Sequence, residues 1–104
     1  MFRRRTAEER YYSQLTNGRD ALAAVRAKIE QLTALRDRIR PAPLQNGLRY
    51  DPARDRLGLE LNILDIRSRD IARSGNTYFG KPARQSVAAA LARADDVFQQ
   101  YSAK

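Results

Sequence analysis

The chain has 104 residues and a formal net charge of +8, from 20 Lys and Arg against 12 Asp and Glu, and it contains neither Cys nor His. This length is sufficient for one domain with one modest hydrophobic core. The missing residue types exclude disulfides, zinc–thiolate sites, histidine-ligated haem and the commonest general base, so the sequence predicts no resident cofactor.

A helix start signal lies close to the N-terminus. The segment Thr6-Ala7-Glu8-Glu9 matches a capping box, in which Thr6 caps the backbone N–H of Glu9 and the Glu9 carboxylate reaches back. Downstream, apolar residues recur at spacings of three and four, which is typical of a helix that meets another helix. They are Tyr11, Leu15, Leu22, Val25, Ile29, Leu32 and Ile39.

The dipeptide Asn17-Gly18 interrupts this pattern and predicts a break. A helix from Thr6 to Arg40 would be about 52 Å long, whereas the later helices would reach about 33 Å. A helix that restarts at Asn17 matches their length, and Asn is a favoured N-cap. The alternative is one continuous helix with a weak point at Gly18, because Gly in a helix costs only about 1 kcal/mol. Pro41 ends the pattern in either case.

The second long helix is predicted over 52–74. Asp51 fits its N-cap and Pro52 its first position. One apolar face carries Leu57, Leu61, Leu64 and Ile71, and a nearly opposite face carries Leu59, Ile63 and Ile66. The two faces indicate a helix that contacts neighbours on both sides. The alternation in "LGLELNI" leaves a strand or hairpin as the alternative.

Gly75 is predicted to cap the C-terminal end of the 52–74 helix, and the last helix is predicted over 82–102. Its apolar residues again follow spacings of four and three, and its alanines favour helix and allow close approach. The apolar positions are Val87, Leu91, Ala94, Phe98 and Tyr101. We therefore predict an all-α fold, with a basic helical arm over 1–16 and a three-helix bundle over 17–104, built from helices at 17–40, 52–74 and 82–102.

Basic and aromatic residues supply the candidate contact sites. Arginine beside tyrosine suits contact with phosphates and bases, and it also suits a protein interface. In the arm these residues are Arg3, Arg4, Arg5, Arg10, Tyr11 and Tyr12. Arg19, Arg26 and Arg40 recur in one column beside the apolar seam, where residues often select a partner helix or could follow a phosphate backbone.

Two functions are compatible with these features, and neither is enzymatic. The adjacent acids Glu8-Glu9 and Asp95-Asp96 point about 100° apart on a helix, and no phosphate loop, nucleophile elbow or metal spacing is present. The first hypothesis is an assembly subunit that contacts other protein subunits, in a homo- or hetero-oligomer such as a virus or phage particle or a secretion apparatus, with Leu59, Ile63 and Ile66 at the interface. The alternative is a small basic protein that binds the phosphates of nucleic acid.

Targeting signals are not apparent. No apolar run approaches the length of a membrane span, and no apolar segment follows the basic N-terminus as in a signal peptide. The expected location is the cytoplasm or an assembled particle.

Overall fold

Four helices make up the folded body. The computed structural model describes residues 6–41, 43–44, 46–48, 51–74 and 79–102. The helices are α1 (Ala7–Gln14), α2 (Gly18–Arg38), α3 (Pro52–Arg73) and α4 (Lys81–Ser102). The predicted all-α fold, three long helices preceded by a short one, is confirmed.

The helix bounds agree with the sequence pattern to within two residues. The strand alternative for the segment after Asp51 is wrong, because α3 is helical throughout. α2 ends at Arg38, since Ile39 has extended backbone angles and Pro41 disfavours helix in the residue before it. The proposed cap at Gly75 lies outside the described residues.

The predicted break at Asn17-Gly18 is present, and side-chain caps define it. Thr6 Oγ1 accepts a hydrogen bond from the N–H of Glu9 at 3.1 Å, which starts α1. Leu15 leaves the helical conformation, and Asn17 adopts an extended one before α2 starts. The Asn17 side-chain oxygen accepts from the N–H of Asp20 at 2.8 Å, so the first turn of α2 is capped as its sequence indicates.

The three long helices have matched lengths of 21, 22 and 22 residues. α2 packs against α3 and α4, and α3 packs against α4. Leu35 of α2 and Ile39, the residue that directly follows α2, share one groove with Ala53 of α3 and Tyr101 of α4. The end of α2, the start of α3 and the end of α4 therefore meet at one end of the bundle, so the three helices alternate in direction.

One continuous core joins all four helices. α2, α3 and α4 each bury an aliphatic stripe, and Leu15, the residue directly after α1, adds a fully enclosed leucine from the break itself. The buried core residues are Leu15, Ala21, Val25, Leu32, Leu35, Leu57, Leu64, Ile71, Val87, Ala88, Ala90, Leu91, Ala94 and Val97. Since the side chain of Leu15 is only 1% exposed, the short helix is fixed to the bundle by its C-terminal end.

We predict that Asn17→Ala lowers the free energy of unfolding by about 1 kcal/mol, because it removes the hydrogen bond that caps α2. Asn17→Asp is the matched control and should retain most of the stability, since Asp caps equally well. Chemical denaturation monitored by circular dichroism measures both. Equal stability of the alanine variant and the wild type would show that the break does not depend on this cap.

Candidate interaction surface

The structure places Tyr11, a predicted contact residue, in an internal polar cluster. Its hydroxyl donates to Asp95 Oδ2 of α4 at 2.5 Å. Lys28 of α2 forms an ion pair with the other oxygen of Asp95 and donates to Gln31 Oε1 at 2.9 Å. The ammonium of Lys28 also lies 5.8 Å from the centre of the Tyr11 ring. One carboxylate thus links α1, α2 and α4.

This environment changes two pKa values in the same direction. Burial, and then the hydrogen bond to Asp95, raise the pKa of Tyr11 above its ordinary value of 10.0. Burial alone would lower the pKa of Lys28, but the interactions with Asp95 and Tyr11 outweigh it and raise that pKa above 10.5. Both groups therefore hold their protons more tightly in the folded chain than in the unfolded one.

Tyr12, the second predicted tyrosine, is fastened to the start of α4. Arg84 donates from Nε to the backbone carbonyl of Tyr12 at 2.6 Å. The same guanidinium lies 4.1 Å from the centre of the Tyr12 ring, close enough for a cation–π contact. Arg10 is exposed, and Arg3, Arg4 and Arg5 lie outside the described residues. Both tyrosines of α1 consequently contribute to its attachment.

Only two residues of the predicted column of Arg19, Arg26 and Arg40 lie on a helix. All three residues are exposed, but α2 ends at Arg38, so Arg40 does not continue the column. The exposed face of α2 also carries Glu30 and Asp37. Since both signs of charge alternate there, this face is not a continuous positive strip of the kind that follows a phosphate backbone.

Most of the basic excess of the chain lies outside the residues that the structure describes. The described residues contain 15 Lys and Arg and all 12 Asp and Glu, a balance of +3. The other five positive charges of the total of +8 belong to Arg3, Arg4, Arg5, Arg49 and Lys104.

Arg54 connects the start of α3 to the end of α2. Arg54 in the first turn of α3 donates to the backbone carbonyls of Arg36 and Ile39 at 2.9 and 3.0 Å. These bonds add partners for carbonyls at and just beyond the C-terminal end of α2, of which that of Arg36 also accepts the N–H of Ile39. The sequence analysis missed this role, since no local pattern shows which carbonyls an arginine will reach.

A buried carboxylate joins α3 to α4. Glu60 is fully enclosed, with 0% exposure, between Arg56 Nη2 at 3.2 Å and Arg93 Nε at 3.4 Å. Its spacing from Leu57 and Leu64, three and four residues, was the signal that it faces the core. Two guanidinium groups offset its charge, because an unpaired carboxylate would be costly in this position.

The second apolar face of α3 remains in contact with solvent. Leu59 is 49% exposed and Ile66 is 52% exposed, although both belong to a well-formed helix. Ile63, between them, is half-buried against the core. We call these three residues the α3 face. The core is complete without Leu59 and Ile66, so their positions are not explained by the packing of this chain alone.

A groove of about 490 Å³ lies beside the α3 face, between α3 and α2. It is lined by Arg36, Arg54, Asp55, Gly58, Leu59, Leu61 and Asn62. No atom would lie within 4 Å of a Cβ added at Gly58, so the backbone is open to close approach at this point. The combination of exposed apolar side chains and an adjacent groove suits the side chains of another helix.

The described residues offer little for metal chemistry or membrane insertion. Within them, no group of three His, Cys, Asp or Glu side chains is placed to hold a metal ion. None of the helices in the described ranges has both the length and the apolarity that a bilayer crossing requires. A surface groove of 760 Å³ between α1 and α4 contains Glu8, Glu9 and Lys81, all of them exposed to solvent.

No protein-family model, curated protein or solved structure matches this chain. The site must therefore be interpreted from its own geometry.

We predict that Asp95→Ala lowers the free energy of unfolding by about 2 kcal/mol, because it leaves the largely buried ammonium of Lys28 without its counter-charge. The control is Asp96→Ala, which removes a neighbouring, exposed acid from the same helix and should cost less than about 0.5 kcal/mol. Urea titration measures both variants. Equal effects would show that Asp95 contributes only as a surface charge.

The raised pKa values of Tyr11 and Lys28 predict a loss of stability at alkaline pH. Their contribution to the free energy of unfolding is fully present below their unfolded pKa values of 10.0 and 10.5. It is lost as the pH rises through the higher pKa values of the folded state. The free energy of unfolding of the Tyr11→Phe variant should fall less steeply with pH than that of the wild type, since one of the two groups is absent. Denaturant titrations from neutral to alkaline pH test this, and parallel curves for the two proteins would contradict it.

Proposed function

We propose that the protein is a non-enzymatic interaction subunit that uses the α3 face to bind another protein chain within a larger assembly. The observation that carries this proposal is the exposure of Leu59 and Ile66 on a rigid helix whose opposite face is already buried. Apolar side chains in such a position gain free energy when a partner removes them from water.

The position of the α3 face supports this function. Ile63 is anchored against the core, so it holds the exposed residues on either side of it in a fixed arrangement. Leu44 and Leu48 are also exposed, at 62% and 75%, but they lie in the segment between α2 and α3. A rigid helix loses less conformational entropy on binding than such a connection does, and we therefore assign the contact to α3.

We predict that the double variant Leu59→Glu with Ile66→Glu stays folded and no longer associates. Its melting temperature should be close to that of the wild type, because both side chains already face water. The matched control, Ala23→Glu with Ala34→Glu, adds the same charge to exposed positions of α2.

Cross-linking in the native cells, followed by mass spectrometry, compares the three proteins. Wild type and control should give the same cross-linked species, whether with another copy or with a different protein, and the α3 variant should lack it. The proposal is wrong if the α3 variant unfolds, or if all three proteins give the same cross-links.

The alternative function is binding of nucleic acid through phosphate contacts. The specific observation in its favour is the location of charge, since three of the five basic residues outside the described ranges are the consecutive Arg3, Arg4 and Arg5. A cluster of this kind suits contact with the phosphate backbone without reading bases.

For this alternative we predict that affinity for duplex DNA falls steeply with salt and does not depend on sequence. Changing Arg3, Arg4 and Arg5 to Ala should reduce the slope of log K against log salt by about 2 to 3, since each phosphate contact contributes about 0.9. Fluorescence anisotropy at several salt concentrations measures the slope. A flat salt response in the wild type would reject the alternative.

A further inference from the structure

Two charged residues of α3 have no ion-pair partner among the described residues. Every other charge on this helix is paired within the chain, in the ion pairs Arg54–Asp51, Arg56–Glu60, Arg69–Asp65 and Arg67–Asp70. The exceptions are Asp55 in the first turn and Arg73 in the last. Both are exposed to solvent.

Asp55 and Arg73 lie at opposite ends of the α3 face. They are separated by about five complete helical turns, or roughly 27 Å, so both project from the same side of the helix as Leu59 and Ile66. From its start to its end, this side carries acidic Asp55, apolar Leu59, polar Asn62 and apolar Ile66, and it ends with the basic residues Arg69 and Arg73. When two copies of this helix run in opposite directions, the acidic end of each one lies beside the basic end of the other.

We propose that the α3 face binds a second copy of this chain, with the two α3 helices antiparallel. This inference rests on the proposed function, because it names the partner of the same face. Asp55 of each copy then lies beside Arg73 of the other, once at each end of the contact. A parallel arrangement would instead place like charges together, which is unfavourable.

The antiparallel register brings apolar residues together only near the centre of the contact, because Leu59 of each copy is level with Arg69 of the other. When Asp55 is level with Arg73, Ile66 of one copy is level with Asn62 of the other and one residue from Ile63. The open backbone at Gly58 lets the second helix approach closely beside this contact. A two-fold axis relates the copies, so one surface patch supplies both sides of the interface.

Charge reversal tests this pairing in the purified, full-length protein. Asp55→Arg and Arg73→Asp should each raise the dimer dissociation constant by about tenfold, because each reversal places like charges together at both ends of the contact. An equimolar mixture of the two variants should associate as tightly as the wild type, and so should the chain that carries both changes. Arg26→Asp and Asp37→Arg on α2 are the matched controls and should leave the constant unchanged.

Sedimentation velocity over a range of concentrations measures these constants, and circular dichroism verifies the fold of each variant. A monomeric wild type, or single reversals that do not weaken the dimer, overturns the antiparallel pairing. The antiparallel pairing is also overturned if neither the mixture nor the doubly changed chain associates as tightly as the wild type. The proposed function would survive these results if Leu59→Glu with Ile66→Glu still abolished a contact with a different protein.

A second measurement remains informative if a reversed charge prevents folding. The chain has no Cys, so a single cysteine can be introduced and treated with a short bismaleimide cross-linker. Asn62→Cys, near the centre of the antiparallel contact, should give a cross-linked dimer, and Arg73→Cys, at its end, should not. Efficient cross-linking at both positions indicates parallel helices and contradicts the inference, as does no cross-linking at either.

Discussion

The carboxylate of Asp95 is the interaction on which the arrangement of the helices depends most. It stands on α4 and contacts Tyr11 of α1 and Lys28 of α2, so it fixes three helices with one group. The dependence is strongest for α1, which has eight residues. A helix shorter than about 12 residues is marginal by itself in water, so tertiary contacts must hold it in helical form. Leu15 and the contact between Arg84 and Tyr12 complete its attachment.

Several arginines also contact carbonyls or carboxylates of the same chain, so the high arginine content does not by itself indicate an anionic partner. An excess of arginine suggests an anionic partner, but Arg54 and Arg84 donate to backbone carbonyls of this chain, and Arg56 and Arg93 form ion pairs with Glu60. Arg54, Arg84 and Arg93 connect different helices, whereas Arg56 pairs within α3, and a substitution at any of the four would test stability rather than binding. Among the exposed features that internal contacts do not explain are the apolar residues Leu59 and Ile66 of α3 and the charges at the two ends of this helix. We therefore propose α3, and not the basic N-terminus, as the main contact surface.

Local sequence predicted those parts of the fold that local physics determines. The three-and-four spacing located the helices, the Thr6 and Asn17 caps located their starts, and the opposite placement of Leu59 and Leu57 identified the two faces of α3. The contact between Tyr11 and Asp95 could not be predicted, because it joins residues 84 positions apart whose meeting depends on how the helices cross. Glu60 had the correct spacing for the core, yet its charge suggested the surface, and only the two guanidinium groups around it explain its burial.

The central claim is that α1 belongs to the same cooperative body as the bundle, which leaves the α3 face as the surface available to a partner. Residue-resolved native-state hydrogen exchange tests it most directly. We expect the amides of α1 from Arg10 to Leu15 to require the same opening free energy as those of α4, since α1 separates only when the whole body unfolds. Exchange of the α1 amides through a low-energy local opening, with α4 still protected, would show a detachable arm and contradict the account.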